Sequence, residues 1–312
     1  MRDRRLQVLD QYSLLERGPL VLTVACQRLG FSIQQFLRRR LAAYVESKAV
    51  FDDVTHRGRS VEKRGAENWV EWADEATDAL RIGLRRGSSD FATFLQVFQE
   101  KQYQPVVHVA RAVLPEGAVR TVVDAGANIG LATLYFQRQF PDARIIAIEA
   151  EPENYAFCRK NLAANGLAAT TVLNRGLWRD GTPLAVGAWQ DRREWAYTVR
   201  PAEGDAEGRE DSVMGVTVEA LMADYGLESI DILKIDIEGA EHQVFEDAES
   251  TRSWLPKVKL AALEIHTPAA RELIARRFDD NGFFSFDRGE LTIAVNERAV
   301  ETRRLLDYFR NN

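Results

Sequence analysis

Polar and apolar residues alternate at two places where an apolar run of the chain ends. Lys234, Asp236 and Glu238 occupy alternate positions of one such run, and an extended backbone would put their side chains on one side. Glu264 and His266 alternate with apolar residues in a second run. If the two runs are neighbouring strands, three carboxylates, an ammonium group and an imidazole meet at one edge of a sheet. Such a group of side chains can remove a proton or hold a cation.

One of these side chains suits general base catalysis. The imidazole of His266 has an unperturbed pKa near neutral pH, so it can take a proton from a hydroxyl group that is hardly acidic by itself. Asp236 or Glu238 would orient the ring or accept the proton instead, and Lys234 completes the predicted catalytic set. A plainer interpretation stays open, in which His266 bonds to backbone at a strand end and Lys234 is the buried counter-ion of Asp236.

The same residues could instead bind a divalent cation. Carboxylates and one imidazole are ligands that suit Mg²⁺ or Mn²⁺, and a bound ion would lower the pKa of a substrate hydroxyl. The ligands would be Asp236, Glu238, Glu264 and His266. Because these groups can also be satisfied by Lys234 and by one another, the sequence does not decide between an ion and an ion-pair network.

A turn rich in small residues comes earlier in the chain. Residues 121–130 read TVVDAGANIG, a β-branched run followed by a turn with two glycines and then by a helical pattern. A strand, a tight turn and a helix start form a nucleotide site at the carboxyl edge of an α/β sheet. The G-x-G-x-x-G spacing of dinucleotide folds is missing, and Asp124 would repel a pyrophosphate. Since Asp124 would attract a sulfonium, the sequence favours S-adenosylmethionine, with S-adenosylhomocysteine as product, over NAD.

Residues after the next two strands complete the predicted cofactor site. Glu149 ends an apolar run, where a carboxylate can accept hydrogen bonds from both ribose hydroxyls. Gly176 and Leu177 follow the third strand, where the adenine would lie. The alternatives are a helix-capping role for Asp124 and a surface position for Glu149. The predicted cofactor-binding residues are Asp124, Gly126, Asn128, Gly130, Glu149, Ala150, Gly176, Leu177 and Asp236.

Strand and helix patterns alternate regularly from the turn onwards. Strands that alternate with helices indicate an α/β fold with a mostly parallel sheet and helices on both of its faces. Two hairpins are predicted in addition, one within 184–200 and one within 283–295. The five predicted sheet strands are 122–123, 144–148, 170–173, 230–235 and 258–263.

The acceptor of the reaction has a weaker signal. Glu264 and Tyr103 are the predicted contacts near the two catalytic runs. Trp195, in the first predicted hairpin, would offer an aromatic platform to a sugar ring or would be part of the core. No motif identifies the acceptor itself.

The beginning of the chain differs in composition from the remainder. Residues 1–50 carry a net charge of +5 and the other residues −11, and 1–48 have the periodicity of amphipathic helices. We predict an N-terminal helical extension and connector over 1–65 and the main domain over 66–312. The extension would pack on its own domain or form the contact of a homo-oligomer. Weak contact with anionic lipid is the minor alternative.

Composition restricts the partners and the compartment. An acidic body lacks the basic surface that nucleic-acid binding needs. The two cysteines, Cys26 and Cys158, suggest no disulfide framework, which fits a reducing cytoplasm. Neither a signal peptide nor an apolar run long enough to span a bilayer is visible. We therefore predict a cytoplasmic protein with no transmembrane segment.

Four motifs together resemble a known family. The stretches DAGANIGLATLYF, AIEAEPENYAFCRKNL, IDILKIDIEGAEHQVFEDA and LEIH, in this order and spacing, are similar to the FkbM family of S-adenosylmethionine-dependent methyltransferases. The resemblance covers roughly Leu80 to the C-terminus, and Ala150 stands where the family usually has proline. It implies a Rossmann-like, seven-stranded methyltransferase sheet whose last strand is antiparallel. It also implies O-methylation of a hydroxyl, often on a sugar, a glycan or a secondary metabolite.

A second function from another class remains open at this point. The chain would then be a non-catalytic module that binds an adenosine ligand and is recruited to a partner or membrane through its basic N-terminal helices. Replacement of His266 and Asp236 separates the two hypotheses, because only an enzyme would lose turnover while keeping its ligand.

Overall fold

The computed structural model describes residues 61–73, 79–86, 88–188, 197–202 and 212–311. The predictions for the N-terminal helical extension, including its role in a homo-oligomer or at a membrane, lie outside these residues. Trp195 lies outside them as well.

The described chain begins with a three-stranded antiparallel sheet of β1 (Val61–Arg64), β2 (Glu67–Trp72) and β3 (Leu80–Arg85). Strand β3 is fixed to the rest of the fold by buried Asn161, whose side-chain oxygen accepts a hydrogen bond from the Gly83 N–H at 2.7 Å. The predicted domain boundary at residue 65 falls in the turn between β1 and β2. We therefore propose that the main domain begins no later than Val61.

Eleven further strands form two more sheets within the described ranges. They are β4 (Thr121–Ala125), β5 (Arg144–Glu149), β6 (Thr171–Asn174), β7 (Gly176–Leu177), β8 (Pro183–Ala188), β9 (Tyr197–Pro201), β10 (Ser212–Val216), β11 (Ile230–Ile235), β12 (Val258–Glu264), β13 (Phe283–Arg288) and β14 (Leu291–Asn296). The central sheet has the order β13-β14-β12-β11-β4-β5-β6. Its strands are parallel except for β14, which pairs antiparallel with both neighbours. The predicted seven-stranded sheet with an antiparallel last strand is confirmed.

The smaller sheet has the order β7-β10-β8-β9. Strands β8 and β9 pair antiparallel, so the first predicted hairpin is confirmed. The second predicted hairpin is the β13–β14 pair.

Both faces of the central sheet are buried because the strands are apolar at successive positions. Val122 and Ile232 pack into one core layer, whereas Val123 and Leu233 pack into the other. The helices cover the sheet on both faces, which places the polar ends of the strands at its edge. The α-helices of the described residues are α1 (Asp90–Phe94), α2 (Gln104–Val113), α3 (Leu131–Gln139), α4 (Pro152–Ala164), α5 (Val218–Asp224), α6 (Glu241–Phe245), α7 (Ala248–Trp254), α8 (Pro268–Asn281) and α9 (Thr302–Asn311), and a π-helical turn (Leu95–Gln99) continues α1.

Local sequence explains where the longest helix begins and ends. Helix α8 begins after Thr267, whose hydroxyl accepts a hydrogen bond from the Ala270 N–H, and Pro268 occupies its first position. It ends at Gly282, which has a left-handed backbone (φ +77°). Of the helices described here, none is long and apolar enough to cross a bilayer.

Candidate active site

A cavity of about 430 Å³ lies at the carboxyl ends of the central strands. The turn after β4, the end of β5 and strand β7 form one part of its wall, and the ends of β11 and β12 form another. The residues that precede the central sheet, on α1 and just before α2, close it from the side. The cavity therefore lies where parallel α/β sheets bind their ligands.

The turn after β4 is fixed by close backbone contacts. Gly126 has φ +76°, and its N–H donates to the Ile148 carbonyl at 2.9 Å. A Cβ atom on this glycine would lie 1.6 Å from the Asp236 carbonyl oxygen, so only glycine fits. Asn128 is also left-handed (φ 50°), and its N–H donates to Glu149 Oε2 at 2.7 Å. The turn is thus held against both neighbouring strands.

Gly126→Ala should abolish S-adenosylhomocysteine binding in a calorimetric titration and lower thermal stability. The new methyl group forces the turn away from Asp236, at a cost of about 1–3 kcal/mol for overpacking in addition to the left-handed backbone. Gly117→Ala is the matched control, because Gly117 also has a left-handed backbone (φ +67°) but has nothing within 4 Å of its added Cβ. We expect the control to keep normal affinity. Equal behaviour of the two variants would contradict the close approach.

Lys234 is buried, and its side chain donates hydrogen bonds to the backbone of this turn. Its Nζ lies 3.0 Å from Asp124 Oδ1 and donates to the carbonyls of Ala125 (3.1 Å) and Gly126 (2.7 Å). Asp124 also accepts a hydrogen bond from the Thr133 hydroxyl at 2.6 Å. Burial opposes the charge of Lys234, but neighbouring groups, with Asp124 first among them, together outweigh this effect and raise the pKa of the lysine. The ammonium group of Lys234 therefore binds Asp124 and the two carbonyls, and so stabilises the turn.

Two residues predicted to bind the cofactor do not line the cavity. Asp124 is fully buried behind the turn and faces Lys234, so its charge is neutralised before it could reach a sulfonium. Gly130 lies at the start of α3, where an added Cβ would be 2.8 Å from the Cys158 sulfur. Its geometry serves the packing of α3 on α4.

Glu149 lines the cavity with a preoriented carboxylate. Oε1 accepts the Glu151 N–H at 2.9 Å and Oε2 accepts the Asn128 N–H at 2.7 Å. Each oxygen keeps a second lone pair, so the group can still accept hydrogen bonds from two ribose hydroxyls. Burial raises the pKa of Glu149 to about 7, although the two backbone hydrogen bonds and the charge of Lys234 oppose the shift.

The affinity for S-adenosylhomocysteine should fall as the pH drops below about 7. Only the ionised Glu149 carboxylate accepts from both ribose hydroxyls, and the protonated form loses one acceptor. With Lys234 and Glu151 as the charges that face this group, we expect a fall of roughly tenfold for each pH unit. Calorimetry across this range measures it. Glu149→Gln should bind more weakly without that dependence, and an equal slope in the variant would contradict the assignment.

The ends of β11 and β12 bring an imidazole into a group of carboxylates. His266 Nδ1 lies 2.9 Å from Glu241 Oε1, while Nε2 lies 3.3 Å from Glu238 Oε2 and 3.6 Å from Glu264 Oε1. The other Glu264 oxygen accepts a hydrogen bond from Gln102 Nε2 at 3.3 Å. Since β11 and β12 are adjacent and parallel, the predicted meeting of the two polar runs is confirmed.

The electrostatics of this cluster are set by burial and mutual proximity. Burial opposes protonation of His266, but its hydrogen bond to Glu241 and the charges of Glu238 and Asp236 outweigh it and raise the pKa to about 9. Burial and the charge of Asp236 raise the pKa of Glu264 to about 7. Burial likewise raises the pKa of Asp236. Burial thus favours the protonated forms of Asp236 and Glu264, while the neighbouring carboxylates favour the protonated form of His266.

The loop after β11 does not continue the extended strand as the alternating pattern suggested. Strand β11 ends at Ile235, and the Asp236 N–H donates to the Ala125 carbonyl at 3.1 Å. Glu238 has a left-handed backbone (φ 55°), an arrangement that costs free energy for a non-glycine residue and that clusters at functional sites.

Asp236, Glu238 and His266 each offer one ligand atom, and these atoms lie within 4.8 Å of one another, so the three could hold a divalent ion.

Most of the predicted site residues line the cavity. Those that line the cavity are Tyr103, Gly126, Asn128, Glu149, Ala150, Gly176, Leu177, Lys234, Asp236, Glu238, Glu264 and His266. Sequence reasoning missed several polar side chains of the wall, among them Thr93, Gln96, Gln102, Asn154, Arg175 and Glu290. It also missed the partner of His266, Glu241. Only Glu241 had a signal, since it lies three residues after Glu238 in the quoted motif.

The fold and the cavity define a Rossmann-like α/β protein with a nucleoside-sized site at the carboxyl edge of its sheet. A family model described as the methyltransferase FkbM domain matches residues 124–311. The chain therefore belongs to the FkbM methyltransferase family and is an S-adenosylmethionine-dependent methyltransferase.

Individual relatives agree with this family. "Methyltransferase sdnD" of Sordaria araneosa is 31% identical over 198 residues, which cover 54% of this chain and 76% of that protein. "Methyltransferase 1" of Beauveria bassiana is 28% identical over 139 residues, which cover 39% of this chain and 56% of that protein. Among solved structures, the N-terminal domain of human METTL16 in complex with SAH aligns with 11% identity and a TM-score of 0.38, covering 85% of this chain and 83% of that one. That structural likeness is too low to bear on function.

Proposed function

We propose that this protein transfers the methyl group of S-adenosylmethionine to a hydroxyl of a small molecule or glycan, such as a sugar or a secondary metabolite. The observation that carries the proposal is one continuous cavity with a ribose-type carboxylate, Glu149, on one wall and the imidazole of His266 on another. Amide and carboxylate groups of Gln96, Gln102 and Glu290 line the same cavity. Such groups suit an acceptor that is rich in hydroxyls.

The residues that line the cavity fit S-adenosylmethionine, and different residues would contact different parts of it. When bound, S-adenosylmethionine supplies an activated methyl group and leaves as S-adenosylhomocysteine. The turn at Gly126 and Asn128 offers a glycine-lined wall, and Glu149 accepts from the ribose hydroxyls. Gly176 and Leu177 provide the small and apolar surface for the adenine.

His266 is the proposed general base. Its Nε2 lies near Glu238 and Glu264, which line the cavity with it, and a substrate hydroxyl would donate its proton there. The hydroxyl oxygen forms the new bond to the methyl carbon while the carbon–sulfur bond breaks, and the proton moves to Nε2. Glu241, Glu238 and Asp236 raise the pKa of the ring to about 9. S-adenosylmethionine bound in the same cavity would carry a positive charge, which would lower the pKa of His266 and favour the neutral imidazole that the base requires.

A divalent ion is the other way in which this site could activate a hydroxyl. Asp236, Glu238 and His266 would hold it, as their ligand atoms are close enough, with Glu264 beside them. Such an ion would lower the pKa of the bound hydroxyl. Turnover that is lost in a chelator and restored by Mg²⁺ or Mn²⁺ supports the ion, and turnover that is indifferent to the chelator supports the ion-pair network.

The proposal is tested in two stages. S-adenosylmethionine and S-adenosylhomocysteine are first titrated into the protein, and we expect dissociation constants in the micromolar range, a typical affinity for a small ligand of this kind. A panel of monosaccharides, glycans and polyhydroxylated metabolites is then incubated with S-adenosylmethionine, and release of S-adenosylhomocysteine is followed. Mass spectrometry locates the methyl group on the product. Lack of heat with both nucleosides contradicts the cofactor site, whereas methylation only of nitrogen or carbon contradicts the hydroxyl acceptor.

A further inference from the structure

Glu241 is a fully buried carboxylate directly behind the proposed base. It occupies the first position of α6 and has no exposed surface, and it does not line the cavity. Its Oε1 atom accepts a hydrogen bond from the Gly239 N–H at 3.0 Å and lies 2.9 Å from His266 Nδ1. The carboxylate therefore connects the loop after β11 to the end of β12.

The burial of this carboxylate is costly and incompletely compensated. A buried acid needs hydrogen bonds to offset its lost hydration. Among the described residues, Oε2 of Glu241 has no hydrogen-bond partner, so both contacts fall on the other oxygen. A glutamine of the same shape would avoid a buried charge. The presence of an acid here is explained by the ring that it contacts.

The contact determines which ring nitrogen carries hydrogen. A carboxylate in its ionised form only accepts hydrogen bonds, so with such a carboxylate the 2.9 Å contact makes His266 Nδ1 the donor. In the neutral ring the free lone pair then belongs to Nε2, the nitrogen nearest to Glu238 and Glu264. Fixing a tautomer and ring orientation in this way is a general means of preparing a histidine for proton transfer.

We propose that Glu241 is a positioning residue that holds His266 in the Nδ1–H tautomer and directs Nε2 at the acceptor hydroxyl. This inference rests on the proposed role of His266 as the base. Glu241 does not touch the substrate, and it acts through the imidazole. Its negative charge also stabilises the imidazolium that forms when the proton has been taken up.

Two variants of different severity test the assignment. Glu241→Gln keeps a carbonyl oxygen that can accept from Gly239 and His266 but removes the charge. Glu241→Leu removes the acceptor as well. Glu219→Gln is the matched control, since Glu219 lies in the first turn of α5 but is exposed. Nitrogen-15 NMR of protein with labelled histidine reports which ring nitrogen carries the hydrogen. The spectra are recorded at a pH above the pKa of the ring, and the His266 signals are those that disappear in His266→Asn.

The expected outcome is graded. Wild type shows hydrogen on Nδ1, and Glu241→Leu shows a mixture with hydrogen on Nε2. With an acceptor identified, kcat should fall roughly 10-fold in Glu241→Gln and roughly 100-fold in Glu241→Leu, the range seen for carboxylates that orient a metal-bound histidine. KM and S-adenosylhomocysteine affinity should stay near wild type, and Glu219→Gln should change nothing.

Other outcomes overturn the inference without ambiguity. An unchanged tautomer in Glu241→Leu, or wild-type kcat in Glu241→Gln, contradicts it while His266 can still be the base. If Glu241→Leu does not fold, the kcat of Glu241→Gln decides. Failure of the wild-type protein to bind S-adenosylhomocysteine or to methylate any hydroxyl contradicts the proposed function instead.

Discussion

His266→Asn should lower turnover by roughly 10²- to 10⁴-fold, the usual contribution of a general base. Asparagine has a similar size and can donate an amide hydrogen to Glu241, but it cannot take a proton from a hydroxyl. The dissociation constant of S-adenosylhomocysteine should change little, because the hydrogen bonds described above that hold the turn and Glu149 do not involve His266. Initial rates of S-adenosylhomocysteine release with the identified acceptor, together with calorimetry, measure the two quantities.

His108→Asn is the control for this experiment. His108 is exposed on α2 and does not line the cavity, so its replacement should leave turnover unchanged. Normal turnover in His266→Asn would remove the imidazole from the mechanism and leave the carboxylates or a metal ion to activate the hydroxyl. A parallel loss of turnover and of S-adenosylhomocysteine binding would instead assign His266 to the architecture of the pocket.

Lys234→Met should destabilise the protein by about 3–5 kcal/mol, because removal of one partner leaves the other as an uncompensated buried charge. Asp124 has no exposed surface, and its cation would be lost. The carbonyls of Ala125 and Gly126 would also lose their donor, so the turn that lines the cavity should loosen. We expect a lower midpoint of thermal unfolding and loss of S-adenosylhomocysteine binding.

Two further variants separate burial from charge. Lys160→Met removes the cation of the Lys160–Glu67 pair, which is partly exposed at an Nζ–Oε1 distance of 2.6 Å, and should cost at most about 1 kcal/mol. The double variant Lys234→Met with Asp124→Asn removes both buried charges and should regain part of the stability. Equal effects of the two lysine substitutions, or no recovery in the double variant, would contradict a structural role for the buried pair.

The sequence predicted the fold well because its signals are local and repeated. Buried strands such as β4 and β11 are runs of β-branched and leucine residues, and the helices between them have clear starts. The parallel sheet then follows from general rules of chain connection. The prediction of an antiparallel last strand, β14, had another basis, the family resemblance. A predicted terminal hairpin alone does not show which of its two strands lies inside the sheet.

The site was predicted less completely because side-chain partners depend on packing. The sequence placed Asp124 next to a glycine turn, a position that suits contact with a ligand. In the structure Lys234 lies opposite Asp124 on the paired strand, and the two form an ion pair. Glu241 follows a turn and begins a helix, where an acid is favoured by the helix dipole alone. Only the position of His266, 25 residues later in the chain, shows that the carboxylate has a partner.

The antiparallel insertion of β14 also bears on when the site forms. The cavity takes Ser89 from the beginning of the described domain and Glu290 from the β13–β14 turn near its end. Strand β14 pairs with β12 across the intervening α8 and β13, and contacts between regions that are distant in sequence form slowly. A nascent chain would thus carry the cofactor turn well before it could enclose an acceptor. Methyl transfer should begin only when synthesis of the domain is nearly complete.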